Sequence, residues 1–250
     1  MTILYVNGDS HSVGAQAVND FAFAQDDPKL WQDEWFNKPH PDNLPASYGQ
    51  LLANKINAGF VCDAMPAGSN TRIIRTTREY LKTNKPNIII IGWTSWEREE
   101  WYNEDDNFWY QVNASGIDSV PEKWTDRYKN FVVNVDWKKK EIFWHDEIKN
   151  FHLELRDLQI PHLFFNCYSN FFHSHNTFKN ANLPFHQHEY GNNYINPYDD
   201  FHFINYLRSV GCKDVREPAD PFIKNKRTHF GPDGHEKWAE FLLPYLTRLL

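Results

Sequence analysis

The sequence has 250 residues, a formal net charge of −7 and a pI near 5.9, which argues against a general nucleic-acid binder. No run reaches the roughly 18 apolar residues of a membrane span, and no basic-then-apolar leader precedes the first apolar run. We therefore expect a soluble, cytoplasmic protein without a membrane partner. The three cysteines are scattered and form no C-x-x-C pair, which argues against a disulfide framework and a cysteine-based zinc site.

Predicted strands and helices alternate along the chain. Short apolar runs typical of buried strands lie at 3–6, 60–64, 87–92 and 160–166. The run at 87–92 is apolar on both faces, which favours a central position in a parallel sheet. Helical patterns lie at 13–17, 46–57, 70–84, 136–158, 201–210 and from about 232. The alternation predicts one α/β domain over 1–250, a three-layer α/β/α sandwich with a central, mostly parallel sheet.

Two long insertions, about 19–46 and 168–199, and a third at about 96–124 interrupt this pattern. The first contains several prolines and aromatic residues without a clear period, and loops of this length often cover functional sites. The third begins with a charged aromatic segment and is otherwise irregular. Aromatic residues make up 16% of the chain and include ten tryptophans, more than a core of this size needs. Some are expected to line a cleft, with a partner interface as the alternative.

Ser10 follows the first predicted strand directly, within Gly8-Asp9-Ser10. Sites in parallel sheets form outside the carboxyl ends of the strands, so a nucleophile is expected there. A serine hydroxyl becomes a good nucleophile only when a base accepts its proton. His229 lies in the loop before the last predicted helix and can return to the same edge. The alternative is a simple helix cap, because Asp and Ser both cap helices well.

Together these residues resemble the SGNH (GDSL-type) hydrolase family. Gly8-Asp9-Ser10 matches its opening motif, Gly68 its glycine after the second strand, and Gly92–Ser95 its turn after the third. His229 matches its closing histidine, followed at the expected distance by Gly234-His235. The chain is also similar to uncharacterised SGNH-like proteins encoded by tailed phages. The resemblance implies a flavodoxin-like SGNH hydrolase fold, with His235 as a structural residue.

The resemblance further implies a serine esterase that hydrolyses an O-acyl ester, on a glycan or another small polar molecule, without a cofactor. Ser10 would attack the ester carbonyl, and His229 would act as general base and then general acid. The amides of Ser10 and Gly68 would bind the oxyanion. A side-chain donor from Thr94 or Asn70 would assist them.

Two positions depart from the family pattern. Thr94 replaces its asparagine, and Lys226 replaces the aspartate that orients the catalytic histidine. Asp220 is the nearest upstream carboxylate and the candidate to replace it, and a backbone carbonyl is the alternative. The departures also fit a rival hypothesis from another class, a catalytically degenerate SGNH-like fold that acts as a glycan- or protein-binding module.

Other polar and aromatic residues are weaker candidates. Asp9-x-His11 resembles the opening of a metallophosphoesterase site, but the later signatures of that family do not occur in the chain. His173-x-His175 and His186-x-His188 lack a supporting carboxylate or cysteine pattern, so no metal site is predicted. The candidate substrate-binding residues are His11, Trp93, Trp96 and Arg98.

Overall fold

The computed structural model describes residues 2–30, 38–113, 120–171, 190–213 and 229–250. In chain order the strands are β1 (Ile3–Asn7), β2 (Gly59–Cys62), β3 (Ile88–Trp93), β4 (Glu99–Asn103), β5 (Phe108–Val112) and β6 (His162–Asn166). The helices are α1 (Tyr48–Lys55), α2 (Asn70–Leu81), α3 (Thr125–Asn134), α4 (Trp137–Asp157), α5 (Phe203–Ser209) and α6 (Pro232–Leu249). Within these ranges no helix is both long and apolar enough to cross a membrane.

Four parallel strands form the main sheet in the order β2–β1–β3–β6. With β6 as its fourth strand, this is the strand order with which flavodoxin-like sheets begin. The remaining strands, β4 and β5, pair antiparallel in a separate hairpin. The predicted α/β class with a mostly parallel central sheet is confirmed.

Alternate residues of each strand face two different cores. Leu4 and Val6 point to the side covered by α1 and α6, whereas Tyr5 points to the side covered by α2 and α4. This follows from the period of two along a strand. Burial on both faces explains why 88–91 is a run of four isoleucines, all inaccessible to solvent.

Two local predictions were wrong, and one helix was missed. Residues 13–17 form turns rather than a helix, because Gly14 (φ 71°) and Gln16 (φ 61°) adopt left-handed backbone conformations that a right-handed helix cannot contain. The segment 96–124 was expected to be irregular, but residues 99–112 within it form the β4–β5 hairpin. Helix α3 was not predicted at all. The insertions at 19–46 and 168–199 lie partly outside the described residues.

Glycines bring the turn after β1 close to the end of β3. A Cβ atom on Gly8 would lie 2.1 Å from the Ser12 hydroxyl oxygen and 2.9 Å from the Gly92 carbonyl oxygen. A Cβ atom on Gly92 would lie 2.6 Å from the Cys167 sulfur. Side chains would therefore force these segments apart, and the two glycines hold the carboxyl ends of β1, β3 and β6 together.

Candidate active site

Ser10 lies in a tight turn at the carboxyl end of β1. The amides of Ser12 and Val13 both donate to the Asp9 carbonyl, at 3.0 and 3.3 Å, and the Ala15 amide donates to the Ser10 carbonyl at 2.8 Å. These bonds fix the backbone on both sides of the serine. The side chain is therefore presented at the sheet edge on a defined turn, as a nucleophile requires.

His229 meets this serine from the other end of the chain. Its Nε2 atom lies 2.9 Å from the Ser10 hydroxyl oxygen, although 219 residues separate the two. Phe230, which follows it, is buried against Phe203 at a centroid distance of 5.7 Å and anchors the loop just before α6. The structure thus brings the predicted nucleophile and the predicted base within hydrogen-bonding distance.

The second nitrogen of the His229 ring contacts a residue that the sequence did not suggest. Nδ1 lies 2.7 Å from the side-chain oxygen Oε1 of Gln16. The Gln16 amide nitrogen in turn donates to the Asp20 carbonyl at 2.7 Å. Asp220, the predicted triad acid, and Lys226 lie outside the described residues, so the role of Asp220 stays a prediction.

The Asp9 side chain is buried beside the candidate nucleophile. Its carboxylate accepts hydrogen bonds from the Thr94 hydroxyl at 2.7 Å, the His11 amide at 3.0 Å and the Arg98 guanidinium at 3.4 Å. Burial alone would raise the pKa of Asp9, but the nearby His11 ring, the Arg98 charge and the Thr94 hydroxyl hold it below its usual range. Asp9 is therefore ionised near pH 7, and its hydrogen bonds to the His11 amide and the Thr94 hydroxyl stabilise the turn that carries Ser10.

The predicted oxyanion donors differ in the hydrogens that they have available. Thr94 donates its single hydroxyl hydrogen to Asp9. The Asn70 side chain clamps the Thr94 backbone, accepting from its amide at 2.9 Å and donating to its carbonyl at 3.3 Å, which occupies one of two amide hydrogens. The Gly68 amide donates to the Met65 carbonyl at 3.0 Å, within its own turn. This arrangement favours Asn70 over Thr94 as the side-chain donor.

Two further imidazoles lie beside His229. The His11 ring packs against it at a centroid distance of 5.3 Å, and His235 accepts a hydrogen bond from the Tyr48 amide at 3.4 Å. Burial lowers the pKa of His11 to about 4 and that of His235 to about 3, so both rings are neutral near pH 7. They surround His229 without repelling a positive charge on it.

The candidate substrate-binding residues occupy different environments. Trp93 is fully buried between Phe151 and Phe164, and Trp96 stacks on Phe171 at 4.8 Å with only 3% of its surface exposed. A direct contact of either tryptophan with substrate is therefore not supported, because both are core residues. His11 is likewise buried, with 3% exposed. The Arg98 side chain is 21% exposed and its guanidinium bonds to Asp9 and Thr94.

A metal site finds no support in the described part of the chain. No group of three or more His, Cys, Asp or Glu side chains there is arranged to hold an ion. The His173 and His175 pair and the His186 and His188 pair lie outside the described residues.

No family model matches the sequence, and no curated protein sequence matches it. Among solved structures, the fold is similar to an acetyl xylan esterase (Est2A) from the rumen bacterium Butyrivibrio proteoclasticus, with 15% identity and a TM-score of 0.44 over 99% of this chain. It is also similar to a putative lipolytic protein of the G-D-S-L family from Desulfitobacterium hafniense DCB-2, with 12% identity and a TM-score of 0.41 over the full length of both chains. A family two carbohydrate esterase from Clostridium thermocellum, in complex with cellohexaose, matches over 99% of this chain with 12% identity and a TM-score of 0.44.

This chain covers 64% of the length of the Butyrivibrio and Clostridium proteins. At these identities and TM-scores the likenesses leave the site residues and the substrate of this chain unassigned.

Proposed function

We propose that this protein is a serine esterase of the SGNH type that hydrolyses an O-acyl ester through Ser10 and His229. The observation that carries the proposal is the 2.9 Å contact between the Ser10 hydroxyl oxygen and His229 Nε2. This is the distance at which an imidazole can accept the proton of a serine nucleophile. The sequence resemblance to SGNH hydrolases supports the same pairing independently.

The first half-reaction forms an acyl-enzyme. The Ser10 oxygen attacks the ester carbonyl carbon while its proton passes to His229 Nε2. When the tetrahedral intermediate collapses, the bond between the carbonyl carbon and the alcohol oxygen breaks. The departing alkoxide takes the proton from His229 and leaves as the free alcohol, and the acyl group remains on Ser10.

The second half-reaction regenerates the enzyme. Water attacks the acyl carbonyl while His229 accepts one of its protons. Collapse of this second intermediate breaks the bond to the Ser10 oxygen, which regains a proton from His229. The products are a carboxylic acid, one alcohol and the original enzyme, without a cofactor.

The oxyanion of each intermediate would be bound by the Ser10 amide and by the second amide hydrogen of Asn70. Among the described residues the Ser10 amide makes no hydrogen bond, so it is available to an incoming oxygen. Asn70 is fixed by its two bonds to Thr94, which makes its second amide hydrogen a preorganised donor. Its side chain is inaccessible to solvent in this structure, so the neighbouring turns would have to open for the oxyanion to reach it. Gly68 would contribute only if its amide turned away from Met65.

An O-acyl group on a glycan or another small polar alcohol is the preferred substrate, on the basis of the sequence resemblance and the aromatic content. A second candidate function, a non-catalytic glycan- or protein-binding module, is favoured by one observation. The Thr94 hydroxyl, at the position of the family's asparagine, is committed to Asp9.

Turnover of p-nitrophenyl acetate by the wild type, Ser10→Ala and Ser209→Ala separates the two functions. Ser209 is an exposed serine on α5 whose hydroxyl donates to the Tyr206 carbonyl at 2.7 Å, and it serves as the matched control. We expect turnover in the wild type and the control, and a fall to the buffer rate in Ser10→Ala. An inactive wild type, or full activity in Ser10→Ala, would show that the catalytic proposal is wrong.

A further inference from the structure

The amide group of Gln16 has a defined orientation. Its nitrogen lies 2.7 Å from the Asp20 carbonyl oxygen, which can only accept a hydrogen bond. The NH₂ end must therefore face Asp20, and the oxygen end must face His229. Because that oxygen is also only an acceptor, the 2.7 Å contact to His229 requires the hydrogen to reside on Nδ1. The neutral ring then presents its lone pair on Nε2, towards Ser10.

We propose that Gln16 is the positioning residue of His229, a neutral amide in the place that a carboxylate occupies in a Ser-His-Asp triad. The inference rests on the proposed esterase function and deepens it. Gln16 touches neither substrate nor the reacting atoms. It acts through His229, by selecting the tautomer and the ring orientation that make Nε2 a base for the Ser10 hydroxyl.

The backbone of the turn after β1 places the Gln16 side chain beside His229. Left-handed backbone at Gly14 (φ 71°) and Gln16 (φ 61°) reverses the chain twice within three residues. The Ala17 amide closes the second reversal by donating to the Gly14 carbonyl at 2.9 Å. A left-handed conformation is costly for a residue with a side chain, so its occurrence at Gln16 is consistent with a functional constraint. One short segment thus supplies both the nucleophile and the residue that orients its base.

An amide and a carboxylate differ in what they do for the protonated base. Both fix the tautomer, but only a carboxylate offers a full negative charge to the imidazolium that forms during attack. Among the described residues, His11 and His235 are titratable groups that interact with His229, and both rings are neutral near pH 7. A carboxylate at position 16 would place a negative charge beside Nδ1 of His229, where the wild type has a neutral amide oxygen.

The test compares Gln16→Met, Gln16→Glu and the control Gln50→Ala. Methionine keeps the length of the side chain without an amide, and Gln50 is a glutamine on α1 that bonds to Asn54 at 3.0 Å. Histidine-selective NMR with ¹⁵N labelling reports the tautomer and pKa of His229, whose signal is assigned by its loss in His229→Gln. Turnover of p-nitrophenyl acetate against pH is measured on the same samples.

We expect the Nδ1-protonated tautomer in the wild type and in Gln50→Ala, and a mixture of tautomers in Gln16→Met. Gln16→Glu should raise the pKa of His229 by about one unit or more, moving the acidic limb of the pH profile to higher pH. Gln16→Met should lower kcat/KM about ten- to a hundredfold, the loss of one hydrogen bond to a charged group.

The proposal is overturned if the tautomer and the pKa of His229 are unchanged in both position-16 variants. The NMR measurement does not depend on turnover, so it separates this inference from the proposed function. If hydrolysis proves independent of Ser10 while the tautomer still depends on Gln16, the esterase proposal fails and the positioning role is supported.

Discussion

An ion pair with one buried partner attaches the β4–β5 hairpin to the sheet edge that carries the candidate site. Arg75 of α2 makes two hydrogen bonds to the Glu100 carboxylate, at 2.6 and 2.9 Å. Gln111 donates to the same carboxylate at 2.9 Å and accepts from the Ser69 amide at 3.1 Å. The hairpin therefore holds the Gly68–Asn70 turn through side chains, and Arg75→Met should loosen this attachment.

The loss of stability expected in Arg75→Met follows from the unequal burial of Arg75 and Glu100. The Glu100 side chain is 1% exposed, whereas the Arg75 side chain is 36% exposed. Removing the arginine takes two hydrogen bonds from a buried carboxylate, which keeps the Gln111 hydrogen bond and the nearby positive charge of Arg72. Breaking a buried ion pair from one side costs about 3 to 5 kcal/mol. Because Gln111 remains, we expect the lower end, about 3 kcal/mol. For a chain of this length that corresponds to a fall in Tm of roughly 10 °C.

Urea denaturation at pH 7 of Arg75→Met, Glu100→Gln and the double variant measures this cost. The double variant should recover about 2 kcal/mol relative to the sum of the single variants, because the carboxylate that Arg75→Met leaves without its ion-pair partner is absent. The control is Arg78→Met, which breaks the half-exposed pair between Arg78 and Glu154 and should cost less than about 1 kcal/mol. Equal losses in Arg75→Met and Arg78→Met, or strict additivity in the cycle, would refute the reasoning.

Two further predictions concern the site itself. His11 and His235 have folded-state pKa values of about 4 and about 3, below the unfolded value near 6.5. The unfolded state therefore binds more protons below pH 6.5, and the free energy of unfolding should fall by roughly 1.4 kcal/mol per pH unit for each ring as the pH drops from 6.5 towards 4. Urea midpoints at pH 7, 6 and 5 test this, and a constant free energy of unfolding would contradict it. Asn70→Ala should lower kcat/KM by about a hundredfold or more, as expected for a lost oxyanion donor, and by more than Thr94→Val. Equal losses of kcat/KM in the two variants, measured with p-nitrophenyl acetate, would contradict the preference for Asn70 over Thr94 as the oxyanion donor.

The sheet was predictable because its signal is local. Burial on both faces leaves continuous apolar runs such as 88–91, and the position of a turn after such a run follows from the chain alone. Ser10 could be located in the same way. His229 required the order of motifs along the whole chain, since no local pattern distinguishes one histidine from the other eleven.

Gln16 could not be predicted because its role depends on backbone conformation. The pattern at 13–17 favoured a helix, and a helix would carry position 16 away from Ser10. The left-handed backbone at Gly14 and Gln16 instead forms a turn that places the Gln16 side chain beside His229. A left-handed conformation at a glutamine has no signature in the sequence. The family pattern has an aspartate as the orienting group, and neither it nor the backbone-carbonyl alternative indicates a side-chain amide. The β4–β5 hairpin had a readable signal, aromatic runs on both sides of the polar segment 104–107.

Covalent labelling tests the central claim, that His229 activates Ser10, most directly. A phosphonofluoridate probe reacts with activated serine hydroxyls, and peptide mass spectrometry locates the modified residue. We predict stoichiometric labelling of the wild type at Ser10, and none there in folded His229→Gln. Labelling at another serine, or equal labelling of Ser10 with and without His229, would contradict the account.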